Sequence, residues 1–510
     1  MTATLPQVYT SVVHMLVAAA EATPDAEALV EGRTRLTYRE YVSCVAAFAA
    51  ELATHGVRGE RVATILPNSI DACIAAFGIL AAGAQHVPLN PLYTPREIGE
   101  ILSDAAARVL IATDDAAPGL ASLAERAGIG TLIALGPRTR SLAALRASPA
   151  PLERLPDSDA LALLQYTGGT TGRAKGVNLS HRAIATNVAQ REGLLPTGIG
   201  ERVLCSMPLF HAYAMAMGLF LAANCRGSLV VLPRYDPEKL LEAIEEERIT
   251  VFPGSPTIYV GLMAHPNFAR TGWSRVHTCY SGAAPLAEQV LRRWEAAVGA
   301  PILEGYGQTE AGPVLSFNPL HGVRKPGSVG IPVAATEIEI VDVETGVRVL
   351  AQGERGEIRA RGPQIMQGYR NLPTETAEAL RGGWLYTGDI GELDADGYLT
   401  IRDRKKDMVI VGGYNVYPRE VEEVLFAHPA VMEAAAVGAP DEYRGEIVRA
   451  YAVLKPGALA SEEELLAHCR ANLAKYKVPA SIERLEAIPK TAVNKTDKQA
   501  LRRRASGGGL

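Results

Sequence analysis

The sequence predicts an α/β fold, with a large N-terminal domain of layered sheets and helices, a β-rich subdomain and a small α+β C-terminal domain. Three observations lead to this prediction. In the first part of the chain, short apolar runs alternate with helical patterns, which is typical of parallel sheet covered by helices. From about residue 328 the strands become short and are separated by Gly and Asp turns. The last hundred or so residues again combine strands with helices.

The strands of the N-terminal domain are predicted from apolar runs rich in β-branched residues. These runs are residues 61–67, 107–113, 130–135 and 228–233. The longest apolar run, "ACIAAFGILAAGA" at residues 72–84, predicts a buried helix, because it is too short to cross a bilayer.

The C-terminal region begins with a predicted strand and turn at residues 407–413. Pro418 suits the first turn of a helix, and residues 449–455 predict another strand. Ser461 and Glu464 have the spacing of a capping box, which predicts the start of a further helix.

We place the domain boundary in the charged stretch "RDRKKD", residues 402–407. This choice predicts an N-terminal domain of residues 1–403 and a C-terminal domain of residues 404–510. Taken by its composition, the same stretch is also typical of a solvated β-turn.

Length and composition narrow the class of protein. A chain of 510 residues, 48% apolar and 21% charged, is expected to form two or more globular domains. The net charge of -5 argues against a nucleic-acid partner. The six cysteines show no C-x-x-C pair, which indicates neither a zinc site nor a disulfide framework. Since no signal peptide or transmembrane segment is recognisable, we expect a cytoplasmic protein.

Residues 166–176, "YTGGTTGRAKG", predict an anion-binding loop between an apolar strand at 161–167 and a helix capped by Ser180. Backbone N–H groups can surround a phosphate in such an arrangement. The loop supplies glycines, hydroxyls and one cation: Gly168, Gly169, Gly172, Thr167, Thr170, Thr171 and Lys175. Because the Walker spacing is absent, composition alone leaves a flexible Gly/Thr loop as an alternative.

The loop resembles the signature of the ANL superfamily, which comprises adenylate-forming acyl-CoA synthetases, stand-alone adenylation domains and luciferases. It departs from that signature at Gly168, where many members have Ser, and at Ala174, where many have Pro. The resemblance implies that the loop clamps the β- and γ-phosphates of ATP and then releases pyrophosphate. Further motifs of the family follow in order and extend the resemblance over essentially the whole chain, to residue 498.

The segment "EGYGQTE", residues 304–310, resembles the adenine and magnesium motif of the family. The resemblance implies that Tyr306 stacks on adenine, that Thr309 lies near the α-phosphate and that Glu310 binds Mg²⁺ together with Thr167. It also implies that six further residues line the nucleotide pocket: Glu304, Gly305, Gly307, and Gly282, Ala283 and Ala284 of "SGAAPL".

Residues 386–407 resemble the ribose motif, in which Asp389 accepts from the ribose hydroxyls and Arg404 donates to ribose or phosphate. The segment "PKTAVNKTDK", residues 489–498, resembles the motif of the catalytic lysine, and Lys495 is the match. Lys495 is expected to stabilise the charge that develops at the α-phosphorus. Asn494 stands where Gly is usual, and Lys498 where Arg is common.

The reaction implied by the resemblance has two halves. A carboxylate attacks the α-phosphate of Mg·ATP and pyrophosphate leaves; the thiol of CoA then attacks the acyl carbon and AMP leaves. The C-terminal domain is expected to be mobile and to rotate at Lys406 between the halves. Gly412 and Gly413 would then face pantetheine, and Arg234 would contact the phosphates of CoA.

The segment "MPLFHAYAM" resembles the motif at the acyl pocket, where His211 orients the carboxylate and Tyr213 lines the carboxylate end. Gly218 is expected to leave space for the acyl chain. The predicted walls, residues 210–220, 251–263 and 307–314, contain no Lys or Arg to pair a second carboxylate. An apolar monocarboxylic acid is therefore expected, and similarity to bacterial fatty-acid–CoA ligases favours a medium- or long-chain fatty acid.

Two alternatives remain at this point. Similarity to 4-coumarate–CoA ligases leaves an aryl or hydroxycinnamic acid as the substrate. A stand-alone adenylation enzyme that loads a carrier protein is the other alternative. The predicted partners are thus the acid, ATP with Mg²⁺, and CoA; a homodimer is left open.

Overall fold

The computed structural model describes residues 5–147, 152, 154–167, 174–411, 414–441, 443–491 and 495–506. The chain divides into two units. The first comprises Met1–Leu286, Val290–Glu337 and Ala360–Leu385, and the second comprises Ala287–Gln289, Ile338–Arg359 and Tyr386–Leu510.

The helices and strands up to residue 332 are α1 (Val12–Ala22), β1 (Glu27–Glu31), β2 (Thr34–Thr37), α2 (Tyr38–Thr54), β3 (Arg61–Ile65), α3 (Ile70–Ala81), β4 (Gln85–Pro88), α4 (Pro95–Ala105), β5 (Val109–Thr113), α5 (Ala117–Arg126), β6 (Thr131–Leu135), β7 (Leu161–Thr167), β8 (Lys175–Ser180), α6 (His181–Glu192), β9 (Arg202–Cys205), α7 (Ala212–Ala214), α8 (Leu221–Asn224), β10 (Ser228–Val231), α9 (Pro237–Glu246), β11 (Val251–Gly254), α10 (Pro256–Met263), β12 (Thr278–Ser281), α11 (Glu288–Val298), β13 (Ile302–Gly307), β14 (Val314–Phe317) and β15 (Ile331–Pro332).

The remaining elements are β16 (Glu337–Val341), β17 (Gly356–Arg361), β18 (Gly368–Tyr369), α12 (Pro373–Ala379), β19 (Leu380–Arg381), β20 (Trp384–Leu393), β21 (Leu399–Arg404), β22 (Val409–Val411), β23 (Tyr414–Val416), α13 (Pro418–Phe426), β24 (Val431–Asp441), β25 (Gly445–Leu454), α14 (Glu462–Asn472), β26 (Ser481–Arg484) and α15 (Lys498–Ala505).

The first unit is built on two sheets. One has the strand order β15-β14-β13-β12-β11-β9-β10-β1-β2 and is parallel from β13 to β1. The other has the order β18-β8-β7-β4-β3-β5-β6 and is parallel from β7 to β6. Their central strands are buried on both faces, as expected for parallel strands covered by helices.

The second unit contains the β-rich segment and the C-terminal elements. One of its sheets includes β16, β17, β20 and β21, of which β20 and β21 pair in antiparallel register. The other has the order β23-β22-β25-β24, with β26 parallel to β25. Helices α13 and α14 pack on this second sheet in one apolar cluster, and α15 contributes Leu501 and Ala505 to another.

The predicted fold class is confirmed, and so are the individual elements. The four apolar runs contain β3, β5, β6 and β10, and the run at residues 72–84 contains most of α3. Pro418 begins α13, and the capping box of Ser461 and Glu464 begins α14. No helix among the described residues is both long and apolar enough to cross a membrane. The boundary between residues 403 and 404 stays a prediction.

One strand was not predicted. β8 lies between the glycine-rich loop and the predicted helix, α6. Val177 and Leu179 are buried on either side of the less buried Asn178, as expected for residues that share one face of a strand. Ser180 does cap α6, as predicted, by accepting a hydrogen bond from the Ala183 N–H.

Candidate active site

The glycine-rich loop closes a β-hairpin. β7 ends at Thr167 and β8 begins at Lys175, and these two residues face each other in antiparallel register. The Thr167 hydroxyl donates a hydrogen bond to the Lys175 carbonyl at 3.5 Å. The other predicted loop residues, Gly168, Gly169, Thr170, Thr171 and Gly172, lie outside the described residues. The structure therefore brings the two predicted ends of the loop together on adjacent strands.

Tyr369, on β18, links the lysine of this loop to the predicted metal-binding glutamate. Its hydroxyl donates to Glu310 Oε1 at 2.8 Å, and Lys175 Nζ lies 5.1 Å from the centroid of its ring. β18 pairs with β8, which places Tyr369 opposite Val177. Burial raises the pKa of Tyr369, and the Glu310 carboxylate raises it further, so that the phenol stays protonated and donates.

Glu310 lies in the 3₁₀ helix Thr309–Ala311, directly after β13. Its backbone carbonyl accepts a hydrogen bond from Met366 N at 2.9 Å, while its side chain accepts from Tyr369. Backbone and side chain of Glu310 are thus both held by the segment that contains β18. This arrangement restricts the carboxylate to one orientation.

The predicted adenine segment is a strand with no room for larger side chains. A Cβ atom on Gly305 would overlap the ring of Phe317, and one on Gly307 would overlap the carbonyl of Pro313. Tyr306 lies between them and is partly exposed. Glu304 is buried and accepts a hydrogen bond from Leu286 N at 3.0 Å, which ties β13 to the "SGAAPL" segment.

The "SGAAPL" segment lies against the predicted acyl pocket. A Cβ atom on Gly282 would approach Tyr213 Cε2 to 2.8 Å, so that this position accepts only glycine unless the tyrosine moves. Ala283 and Ala284 are exposed, and Ala283 has a φ of 67°, an unusual conformation for a residue with a side chain. The structure therefore connects the "SGAAPL" segment to Tyr213.

His211 caps the short helix α7. Its Nδ1 accepts a hydrogen bond from Tyr213 N at 3.3 Å. The carbonyl of the preceding Phe210 accepts from the side chain of Gln165, on β7 two residues before Thr167. Gln165 therefore ties the His211 segment to the strand that leads into the glycine-rich loop.

Two further predicted residues lie nearby in the chain, but the structure gives them different surroundings. Gly218 belongs to a π-helix, Met215–Phe220, and a Cβ atom there would lie 3.7 Å from Leu229 Cδ1, an ordinary contact. Gly218 thus faces strand β10, and its predicted role as space for an acyl chain stays a prediction. Arg234 is exposed in the loop between β10 and α9.

In the second unit, the predicted ribose residues are neighbours. Asp389 on β20 and Arg404 on β21 face each other in the antiparallel register, with 3.5 Å between Arg404 Nε and Asp389 Oδ1. Asp389 is buried, whereas the Arg404 side chain is 55% exposed and can reach solvent. Lys406 follows in the turn after β21, where burial and the charge of Arg404 lower its pKa.

Lys495 lies on a short loop before α15. Its N–H donates to Thr491 Oγ1 at 3.2 Å, and its carbonyl accepts from Thr491 N at 2.7 Å. Gly412 and Gly413, the predicted pantetheine glycines, lie outside the described residues.

Sequence reasoning missed Tyr369 and Gln165. Neither belongs to a recognisable spacing, because each acts on a residue far away in the chain: Tyr369 on Glu310, and Gln165 on Phe210. The one signal in the sequence was Gln165, an amide side chain in the otherwise apolar strand β7.

Comparison with known proteins covers both parts of the chain. Residues 16–370 match the family model for AMP-binding enzymes, and residues 420–495 match that for the C-terminal domain of AMP-binding enzymes. The chain is 38% identical over 519 residues to the long-chain-fatty-acid–CoA ligase of Bacillus subtilis (strain 168), covering 94% of this chain and 91% of the relative.

A second relative and a solved structure also match almost the whole length of the chain. Feruloyl-CoA synthase of Amycolatopsis sp. is 38% identical over 491 residues, covering 95% of this chain and 97% of the relative. The crystal structure of ATP-bound MatB from Rhodopseudomonas palustris has a TM-score of 0.90 at 32% identity, covering 96% of this chain and 98% of that chain. The chain therefore belongs to the AMP-binding enzyme family, within the ANL superfamily of adenylate-forming enzymes.

Proposed function

We propose that the protein is an AMP-forming ligase that joins an apolar monocarboxylic acid, a medium- or long-chain fatty acid, to CoA. In the first half-reaction, a carboxylate oxygen bonds to the α-phosphorus of ATP and pyrophosphate leaves. In the second, the sulfur of CoA bonds to the acyl carbon, the thiol proton is lost and AMP leaves. The relative from Bacillus subtilis, a long-chain-fatty-acid–CoA ligase aligned over 94% of this chain, supports the choice of acid.

The apolar character of the proposed acid site is the observation that carries this choice. Residues 207–220 contain no Asp, Glu, Lys or Arg, and the side chains from Ala212 to Phe220 are buried. Arg191 acts electrostatically on Tyr213, but its guanidinium is paired with Glu192 at 2.5 Å. A second carboxylate in the substrate would thus meet no Lys or Arg within residues 207–220, and burying it unpaired would be costly.

The residues around the glycine-rich loop suit the triphosphate of ATP and one magnesium ion. Lys175 offers a positive charge, and Thr167 and Glu310 offer the hard oxygen ligands that Mg²⁺ prefers. Magnesium, when bound, would neutralise phosphate charge. Tyr369 orients the Glu310 carboxylate for this role, since its hydroxyl occupies one lone pair of Oε1.

The second unit would supply the remaining contacts. We assign Asp389 and Arg404 to the ribose and Lys495 to the α-phosphate in the first half-reaction. Rotation at Lys406, of residues 404–510 relative to residues 1–403, would replace Lys495 by the segment of Gly412 and Gly413 for thioester formation. Two further contacts in this proposal are His211 at the carboxylate and Arg234 at the phosphates of CoA.

A second candidate substrate is an aryl acid. Feruloyl-CoA synthase is as similar to this chain as the fatty-acid relative is, at 38% identity. In addition, the buried Tyr213 hydroxyl has no hydrogen-bond partner among the described residues, and a substrate with a polar substituent would satisfy it.

The test is release of AMP and pyrophosphate with a panel of acids, namely saturated acids of increasing length, cinnamic acids and a diacid, each with and without CoA. A fatty-acid–CoA ligase turns over only with CoA and prefers the longer saturated acids. Preference for hydroxycinnamates would replace the fatty acid by the second candidate. Turnover that does not depend on CoA would contradict the ligase assignment and favour an enzyme that loads a carrier protein.

We also propose a cytoplasmic location. All six cysteines are buried and unpaired, as is usual for a protein of a reducing compartment. Fractionation of the native host would test this: recovery with the cytoplasmic fraction supports it, and recovery outside the cell contradicts it.

A further inference from the structure

The helix that follows the lysine loop, α15, is tied by ion pairs to two other elements of the second unit. Lys498 Nζ lies 3.0 Å from Glu422 Oε1 on α13. One turn later on the same helix, Arg502 Nη2 lies 2.5 Å from Asp407 Oδ1, in the turn after β21. The side chains of Lys498 and Glu422 are 19% and 16% exposed, so that this pair is largely shielded from water.

The cation of Lys498 is embedded in a group of carboxylates. Burial by itself would lower the pKa of Lys498, but Glu422, Asp403 and Asp407 outweigh it and raise that pKa. Asp403 is buried and accepts hydrogen bonds from the backbone N–H groups of Arg404, at 2.7 Å, and Arg419, at 2.9 Å. Lys498 therefore pairs with the middle of α13 and is also attracted to the carboxylate at the end of β21.

The loop that carries Lys495 is short and lies directly before α15, so that its position depends on that of the helix. Only Thr496 and Asp497 separate Lys495 from Lys498. Asp497 N donates to Pro489 O at 2.8 Å, which closes the loop, and its side chain caps α15 through Ala500 N. A displacement of α15 would therefore displace Lys495.

We propose that Lys498 and Arg502 are positioning residues for Lys495, coupling the turn at Lys406 and helix α13 to the lysine loop. The loop then moves with the hinge as one body, and Lys495 reaches the α-phosphate in the first half-reaction and withdraws in the second. This inference rests on the proposed function. In support of it, Arg502 pairs with Asp407, the residue that follows Lys406, so that helix α15 contacts the turn that holds the hinge.

The experiment measures the two half-reactions separately in the full-length protein. The first is acyl-adenylate formation, followed as pyrophosphate release without CoA. The second is acyl-CoA formation from a supplied acyl-adenylate. The variants are Lys498→Met, Arg502→Met and Lys498→Arg, and the matched control is Arg504→Met, which removes an ion pair with Glu483 from the same helix. Thermal unfolding of each variant reports on folding.

We expect Lys498→Met to slow the first half-reaction about tenfold or more, through misplacement of Lys495, and to leave the second within about twofold. Lys498→Arg restores the first half-reaction because it keeps the charge, and Arg504→Met changes neither. If Lys498→Met does not fold, Arg502→Met provides the same test, because the Arg502 side chain is more exposed than that of Lys498. We expect the same selective loss of the first half-reaction in that variant.

Equal loss of both half-reactions in the folded variants, or no loss, would overturn the inference. Failure of the proposed function is distinguishable, since the wild-type protein would then not form acyl-CoA from any acid, or Lys495→Ala would remain fully active. A lowered unfolding temperature with both half-reactions intact would show that the ion pairs contribute to stability alone, which also overturns it.

Discussion

The two units hold their candidate site residues by different means. In the first unit, Thr167 and Lys175 face each other on paired strands, and Tyr369, on the next strand, hydrogen-bonds to Glu310. In the second unit, Lys495 lies on a loop before α15, a helix that forms ion pairs through Lys498 and Arg502. Paired strands carry Thr167, Lys175 and Tyr369, whereas Lys495 lies outside the strands, next to a helix with charged contacts.

The difference matches two kinds of task. Groups that bind a triphosphate benefit from a rigid, preorganised arrangement, which neighbouring strands provide. In the proposed function, Lys495 acts in one half-reaction and withdraws in the other, which requires an element that moves as a body. We therefore expect changes in the second unit to separate the half-reactions, and changes in the first unit to affect nucleotide and metal binding.

The largest effect is expected for Lys495→Ala. Loss of this cation should slow acyl-adenylate formation by about 10²–10³-fold, because the proposed function assigns the charge at the α-phosphorus to Lys495. Acyl-CoA formation from a supplied acyl-adenylate should persist. Equal loss in both assays would remove the distinction between the two units.

Glu310→Gln keeps the shape of the side chain and removes its charge. We expect activity to fall by about 10–100-fold and the Mg²⁺ concentration for half-maximal activity to rise, because the amide is a weaker ligand. Pyrophosphate release is measured against Mg²⁺ concentration. An unchanged Mg²⁺ dependence would contradict the assignment of Glu310 to the metal.

A smaller effect is expected for Tyr369→Phe. The variant loses the hydroxyl that orients Glu310, and we expect activity to fall about tenfold with a matching rise in the Mg²⁺ requirement. Tyr41→Phe is the control, since it removes another buried hydroxyl of the same unit, which donates to Cys73 O at 3.1 Å. If both variants behave alike, Tyr369 has no role beyond stability.

The smallest effect concerns an exposed ion pair of the first unit, His277 with Glu201 at 3.0 Å. The hydrogen bond to Glu201 raises the pKa of His277 above 6.5. Its contribution to stability is therefore full below pH 6.5 and is lost as the pH rises through the folded pKa.

Because the His277 side chain is 54% exposed, we expect a contribution on the order of 0.5 kcal/mol. Denaturant unfolding of the wild type and His277→Gln at pH 5.5 and pH 8.5 measures it. If the free energies of unfolding of the wild type and His277→Gln differed more at pH 8.5 than at pH 5.5, the prediction would be contradicted. A contribution of several kcal/mol from the His277–Glu201 pair would contradict the small value expected for an exposed ion pair.

Much of the candidate site was predictable because its residues lie in contiguous motifs. Asp389 and Arg404 flank a hairpin, and Thr167 and Lys175 flank a loop, so that local chain geometry brings each pair together. Capping residues and apolar periodicity predicted most strands and helices for the same reason: the interactions are local. The strand β8 was missed because it is only six residues long and ends at Ser180, the residue that caps the predicted helix α6.

The sequence by itself determined the fold class, the family and the candidate residues of nucleotide binding, since these depend on periodicity and on motifs read along the chain. Only the tertiary structure decided which distant residues hold them. Tyr369 contacts Glu310 across 59 positions, and Lys498 contacts Glu422 across 76, and no local pattern encodes either pair. Such contacts depend on how strands are ordered in a sheet and which helix packs beside which, and those arrangements follow from burial of the whole core.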